Sequence, residues 1–326
     1  MCIHCEPLIK AIDGYLRKAD DKLVSELKAA GFIAPEDTVK EINDLEDKLA
    51  ESFGDFDKSV MEAVKSSKSL SEFAAEKWPQ IRRSKGLIAV INRICRGEFE
   101  RFIPDMTIRC VTKIDPQLTV AKITRRTTSW IESWSEKLSS LMDLNSKEGI
   151  EKILVDGLKK GQGIAEFTQA LIDSGIRGGH GSAAEYEKAR RIAVTEVLRA
   201  HSVAQHESLI QSPAVEERMW RHTGSYRNQP RQNHVDMDGT RVPINEPFIL
   251  KGADGVTYKP MYPRDSNLPP GECVNCHCIE QGVVSEKILG LSLEERQRLQ
   301  AKIIAEDDGE WEKELDAKNR AKAGIE

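Results

Sequence analysis

No stretch of this chain approaches the ~20 consecutive apolar residues needed to span a bilayer, and its N-terminus lacks a basic segment followed by an apolar run. Neither a membrane span nor secretion through a signal peptide is expected. A basic excess is also missing: Lys+Arg 48 against Asp+Glu 53 leaves a net charge of -5 and a pI near 5.9. That balance excludes a general nucleic-acid coat, because phosphate-driven binding needs a basic face. Cysteine is sparse and odd in number, seven in all, scattered at Cys2, Cys5, Cys95, Cys110 and a terminal trio. No disulfide framework fits this scatter; reduced thiols with one metal cluster do. The run Gly178-Gly179-His180-Gly181-Ser182 lacks the lysine and the preceding apolar strand of a phosphate-cradling loop, so a flexible turn is expected there.

What remains is a chain of 326 residues, 39% hydrophobic and 31% charged, long enough for two domains and polar enough for a cytosol-made helical protein. Residues 1–145 read as a long helical region. Leu16, Ala19, Leu23 and Leu27, then Ile42, Leu45, Leu49 and Phe53, recur at helical spacing, with Gly31 and Pro35 breaking the pattern between them. Helical runs follow at Leu70 to Trp78, Leu87 to Phe102 and Thr119 to Met142. In the last of these, Val120, Ile123, Thr127, Trp130, Ile131 and Trp134 make an apolar stripe, and the two tryptophans read as core.

Residues 146–212 are also expected to be helical: Ser146 opens a helix, Gly161 and Gly163 interrupt it, Gly175 stops the next, and a long helix runs from Ala184 to Leu209. From 213 to 285 the character changes to Gly, Pro, Asn and Asp with short apolar segments at Arg241 to Ile244, Pro247 to Leu250 and Val256 to Tyr258, and tight turns at Asp238-Gly239 and Asp254-Gly255. So thin a core calls for a staple. Residues 286–326 form a charged C-terminal helix or tail, with Ser292 and Glu295 placed as a capping box. The expected fold class is mainly α with a small α+β zinc-clamped C-terminal domain.

The staple is Cys273-Val274-Asn275-Cys276-His277-Cys278. Structural zinc wants four tetrahedral N/S ligands. Cys273, Cys276 and Cys278 supply three, and His234 is the preferred fourth, with His222 and His277 as competitors. A catalytic zinc would keep an open position beside a carboxylate base, for which Asp236 and Asp238 are candidates. Cys2-Ile3-His4-Cys5 also has ligand spacing but no partner pair nearby.

The helix Ala193-Val194-Thr195-Glu196-Val197-Leu198-Arg199-Ala200-His201, then Trp220-Arg221, Arg231-Gln232-Asn233-His234-Val235-Asp236-Met237-Asp238-Gly239, Glu246-Pro247-Phe248 and Asn275-Cys276-His277-Cys278, together resemble the phage Mu F-like head morphogenesis proteins. The family pattern is a T-E-x-x-R-A helix, a tryptophan, an R-x-x-H-x-x-x-D-G turn, an E-P-F strand and an N-C-R-C close. The resemblance covers roughly 150 to 280. His277 stands where the family usually has Arg, and Cys273 where many relatives have His. Arg231, where many relatives have a metal-ligating Cys, cannot ligate.

This resemblance implies a minor capsid protein made in the infected host cytoplasm and built into the virion, in the capsid interior or at the portal vertex. Its implied partners are the portal protein, the major capsid or other head proteins and, in some relatives, packaged DNA, with no membrane. Thr195, Glu196 and Arg199 are expected to pack the helix against the zinc domain. Two other classes remain open on the residues alone: a zinc-dependent nuclease or toxin-like enzyme, and a zinc-bearing DNA-binding module.

Overall fold

The structure, a computed structural model, describes residues 19–120, 122–176, 183–222, 230–306 and 317. The expected turn at 178–182 and the Cys2–Cys5 pair lie outside these residues. Over the described residues the chain forms two compact units. One is drawn from Met1–Glu41, Phe102–Thr128 and Thr195–Glu326, the other from Ile42–Arg101 and Ser129–Val194.

The second unit is helical. It takes most of the helix Pro35–Lys65, where Ile42, Leu45, Leu49 and Phe53 are all buried, as their spacing implies. An apolar cluster in it joins Val60, Met61 and Val64 to Leu70, Phe73, Trp78, Ile150, Leu154, Phe167 and Leu171. Trp134 is buried, with half-buried Trp130 stacked on it at 6.3 Å, and Trp130 also meets Phe99 at 5.7 Å.

The helix expected from Thr119 instead runs Arg125–Lys159, straight through the break expected at Ser146. Neither Ser146 nor Gly149 stops it. The Ser146 hydroxyl donates back to the Met142 carbonyl at 2.9 Å, and no proline interrupts the ladder.

The first unit is built around the helix Ala183–Gln211, in which every residue from Thr195 to Gln211 is buried. A helix buried on all sides would ordinarily be apolar all round. Here Glu196, Arg199, His201, Ser202, Gln205, His206, Glu207, Ser208 and Gln211 are polar, so neighbouring elements must supply their partners.

Glu207 shows how completely this is done. Its carboxylate accepts from the Thr124 backbone N–H (2.8 Å) and hydroxyl (2.7 Å), the Thr127 hydroxyl (2.5 Å), Arg126 (3.3 Å) and Gln211 (2.7 Å). It thereby satisfies orphan donors at the start of the Arg125–Lys159 helix. Burial pushes this carboxyl up, but Arg126 and the threonine donors outweigh it and hold the group below its ordinary value.

The sheet beside this helix has the order β2-β1-β5, all antiparallel, from β1 (Val215–Arg221), β2 (Arg241–Pro243) and β5 (Ile279–Val284). A separate hairpin pairs β3 (Leu250–Lys251) with β4 (Thr257–Tyr258). Strands β1 and β5 carry no clear apolar alternation because a buried ion pair takes core positions: Arg218 Nη1 lies 3.2 Å from Glu280 Oε2, with His206 Nδ1 at 3.3 Å from the same oxygen. Gly282 lets helix and sheet approach, since a Cβ there would lie 2.8 Å from Leu209 Cδ2.

The helical stretch at 19–29 ends at Gly31, whose φ of 82° is accompanied by the Phe32 N–H donating to Leu27 and the Gly31 N–H to Lys28. The turn sets Phe32 against the His201 ring at 4.7 Å. At the other end of the unit, Ser292 and Glu295 form a reciprocal cap for the helix Leu293–Glu306. That helix is not wholly solvated: Arg296 bonds Asp115 and Gln117, and Gln300 donates to the Thr119 carbonyl.

Two outcomes follow from the polar helix. Glu207→Gln replaces a multiply bonded buried carboxylate and is expected to lower unfolding free energy by about 3 kcal/mol in urea titrations. The second concerns His201, whose imidazole burial drives down from 6.5 to about 3, so the folded chain keeps it neutral. The unfolded chain takes up this proton first. The contribution of His201 is therefore complete above pH ~6.5 and is lost as pH falls toward 3, at about 1.4 kcal/mol per pH unit. Between pH 7 and pH 5 the wild type should lose about 2 kcal/mol more than His201→Phe; equal losses would show that His201 does not titrate this way.

Candidate metal centre

The small domain folds around its cysteines. Trp220, Met237, Phe248, Leu250, Tyr258, Leu268, Cys273, Cys276 and Cys278 form one buried cluster. Cys273 ends the short helix Pro270–Cys273, and the chain then reverses in a turn closed by the Cys276 N–H on the Cys273 carbonyl at 3.1 Å. Val274 at φ -61°, ψ 131° and Asn275 at φ 55° give this turn type II geometry, and Asn is one of the few non-glycine residues that takes the second position readily. The reversal turns Cys276 and Cys278 toward His234, which sits on the one-turn helix Gln232–Asp236.

The ligand atoms of His234, Cys276 and Cys278 all lie within 4.8 Å of one another, and all three residues are buried. His234 Nδ1 is 3.5 Å from Cys276 Sγ and 3.6 Å from Cys278 Sγ. A tetrahedral zinc with Zn–S of about 2.3 Å and Zn–N of about 2.0 Å would place its S and N ligands about 3.5 Å apart. The donor set therefore fits a soft metal without rearrangement of these two edges.

The other ring nitrogen is fixed as well. His234 Nε2 is 2.9 Å from Glu272 Oε2, and Glu272 also accepts from Asn233 Nδ2 (3.0 Å) and the Ala253 N–H (2.9 Å). A carboxylate on the far nitrogen sets the tautomer that leaves Nδ1 free to ligate. Trp220 closes the pocket, meeting the His234 ring edge-on at 5.6 Å and Phe248 at 5.3 Å.

The site favours a thiolate at Cys276. Cys276 is held well below the ordinary thiol value, first by its hydrogen bond with Cys278 and, against burial, by His234 and the Arg264 guanidinium. Cys278 is pushed up by the same hydrogen bond and by burial, while Trp220 pulls the other way. Loss of a proton is thus favoured at Cys276 over Cys278, and metal binding at such a pair would release protons from it.

Arg264, fully buried at φ 64°, donates from Nη1 to the Cys276 and Cys278 carbonyls at 2.7 Å each. The same side chain reaches the Leu198 carbonyl (3.0 Å) and the Ser202 hydroxyl (2.5 Å), while Arg199 donates to the Arg264 carbonyl (3.0 Å). Thr195, Glu196 and Arg199 are buried, with Glu196 paired to Arg199 at 3.2 Å.

Of the four ligands expected from sequence, His234, Cys276 and Cys278 come together. Cys273 faces elsewhere: its thiol lies 3.5 Å from the Asp265 carbonyl and 3.7 Å from that of Leu268, and burial pushes it up to about 12. Arg231 donates to the Val274 carbonyl (2.7 Å). Asp236 accepts from Gln232 (2.7 Å) and Asp238 from the His222 N–H (2.9 Å), so neither is directed at the sulfurs. Glu272 and Arg264 escaped the sequence reading. The signal for Glu272 was its place beside Cys273, which only the position of His234 makes meaningful.

Fold and donor set define a mainly α protein whose small α+β domain closes on a buried His/Cys/Cys group able to hold a metal ion. Residues 148–280 match the family described as phage Mu protein F like protein, the segment that carries the Thr195–His201 helix and the His/Cys/Cys group. The chain is similar to an uncharacterized protein, YqbB, of Bacillus subtilis (strain 168), at 39% identity over 212 residues. The match covers 65% of this chain and 66% of that protein, just under two thirds of the relative's length. No solved structure matches the chain.

The double variant Cys276→Ser, Cys278→Ser should lose bound metal by elemental analysis and melt at lower temperature than the wild type. Unchanged melting, with no metal in either protein, would refute a metal-stabilised domain.

Proposed function

We propose that this chain is a bacteriophage minor head protein that joins the portal vertex during head assembly, carries a structural zinc and acts without catalysis. The observation that carries the reading is the family match over 148–280, which contains the Thr195–His201 helix and the metal-competent His/Cys/Cys group. In this reading the protein is made in the host cytoplasm and packed inside the virion, where a metal-clamped domain resists local unfolding. No helix among the described residues is long and apolar enough to cross a membrane.

Surface chemistry supports a role in protein contact. On the helix Arg125–Lys159, Leu141, Leu144, Val155 and Leu158 are exposed along one face, a stripe that a partner helix could cover. The catalytic alternative rested on Asp236 and Asp238, and both engage partners away from the sulfurs.

Co-expression with the portal protein of the same phage should give a complex that survives gel filtration, and Leu144→Asp, Leu158→Asp should weaken it while leaving the circular dichroism spectrum unchanged. A portal that assembles and fills with DNA normally without this chain, and never co-purifies with it, would overturn the proposal.

A further inference from the structure

We infer that His222 is the fourth metal ligand, so that the centre is a Cys2His2 site of His222, His234, Cys276 and Cys278, with Cys273 outside it. This rests on the reading of the His/Cys/Cys group as a metal centre. A closed structural zinc site takes four N/S donors, and the buried group supplies three. His222 Nδ1 lies 3.5 Å from Cys278 Sγ, the edge length of a tetrahedral site, and His222 stands outside the three whose ligand atoms all lie within 4.8 Å of one another, so its ring must swing toward Cys276 and His234 to close the shell.

The sheet explains why His222 stands there. Strands β1 and β5 are antiparallel with Arg221 opposite Ile279. One step beyond that pair, His222 faces Cys278, and directly opposed residues of an antiparallel pair place their side chains together on one face. The position is pinned, because the His222 N–H donates to Asp238 Oδ1 at 2.9 Å and Asp238 belongs to the turn that follows His234. His234 and His222 are thus fixed to one turn from two sides.

The alternatives are worse placed. The Cys273 thiol is turned to the Asp265 and Leu268 carbonyls, and Arg231 has no lone pair to give. His222 is half-buried where the other three are buried, and it meets the group through Cys278. It is therefore the solvent-side ligand, the one a metal recruits last and a chelator displaces first.

The full-length protein tests this with cobalt(II) spectroscopy and zinc competition against a chromophoric chelator. The wild type should bind about one metal per chain with the intense visible bands of a tetrahedral site and sulfur-to-cobalt charge transfer from two thiolates. His222→Ala should weaken zinc binding by at least about tenfold, and added imidazole should restore the tetrahedral bands. His222→Cys should keep the metal and strengthen the charge transfer to that of three thiolates. Cys273→Ser should change neither affinity nor spectrum.

Wild-type affinity and spectrum in His222→Ala, or loss of the third thiolate's intensity in Cys273→Ser, would overturn His222 while leaving the metal centre in place. A wild type that binds neither cobalt nor zinc would overturn both.

Discussion

The fully buried guanidinium of Arg264 ties the small domain to the helix that supports it. An arginine at 0% exposure is tolerable only when its donors are met, and Arg264 spends them on the Cys276 and Cys278 carbonyls, the Leu198 carbonyl and the Ser202 hydroxyl. Two of these partners lie on the cysteine turn and two on the Ala183–Gln211 helix. The backbone around Arg264 is held in turn by Arg199, which donates to its carbonyl. A left-handed φ at a bulky residue costs energy and persists only where the surroundings fix it, as they do here. The same positive charge, next to two sulfurs, favours their thiolate forms. One side chain therefore serves both packing and the electrostatics of the candidate metal site.

This arrangement makes sense of a helix that is buried on every side yet densely polar. Arg199 and Ser202 meet Arg264, His206 meets the Arg218–Glu280 pair and Glu207 the Thr124–Thr127 segment, while Glu196 pairs with Arg199 and Gln211 with Glu207. Such pairs give modest net stability, since desolvation offsets most of their attraction, but breaking any one leaves a buried charge behind. Apolar burial supplies stability, and the polar set selects one register of helix on sheet. A metal at His234 and the two cysteines would add to this as binding free energy available only to the folded chain.

Much of this was legible in the sequence where residue type alone carries the chemistry. The grouping of Cys276, Cys278 and His234 as side chains that could hold a metal ion was readable, and the order of motifs from Thr195 to Cys278 pointed to the family that the 148–280 match supports. The mainly α class with a small α+β domain followed from helical spacing giving way to turn residues.

Partners set by long-range geometry were not legible. Glu272 looks like any surface glutamate until His234 is placed on it, and Arg264 sits in a loop of Pro, Asp and Asn that gives no sign of burial. Strands β1 and β5 were hidden because Arg218 and Glu280 hold core positions that alternation reserves for apolar side chains. Cys273 was misdirected by spacing: the C-x-x-C pattern fits a ligand pair, but the turn at Val274-Asn275 sends its thiol toward carbonyls instead.

The most direct test of the account is zinc-edge X-ray absorption on the protein as purified. The protein should hold stoichiometric zinc in a four-coordinate shell, with two sulfurs at about 2.3 Å and two nitrogens at about 2.0 Å. A shell of oxygens, or a protein that folds fully without metal, would contradict it.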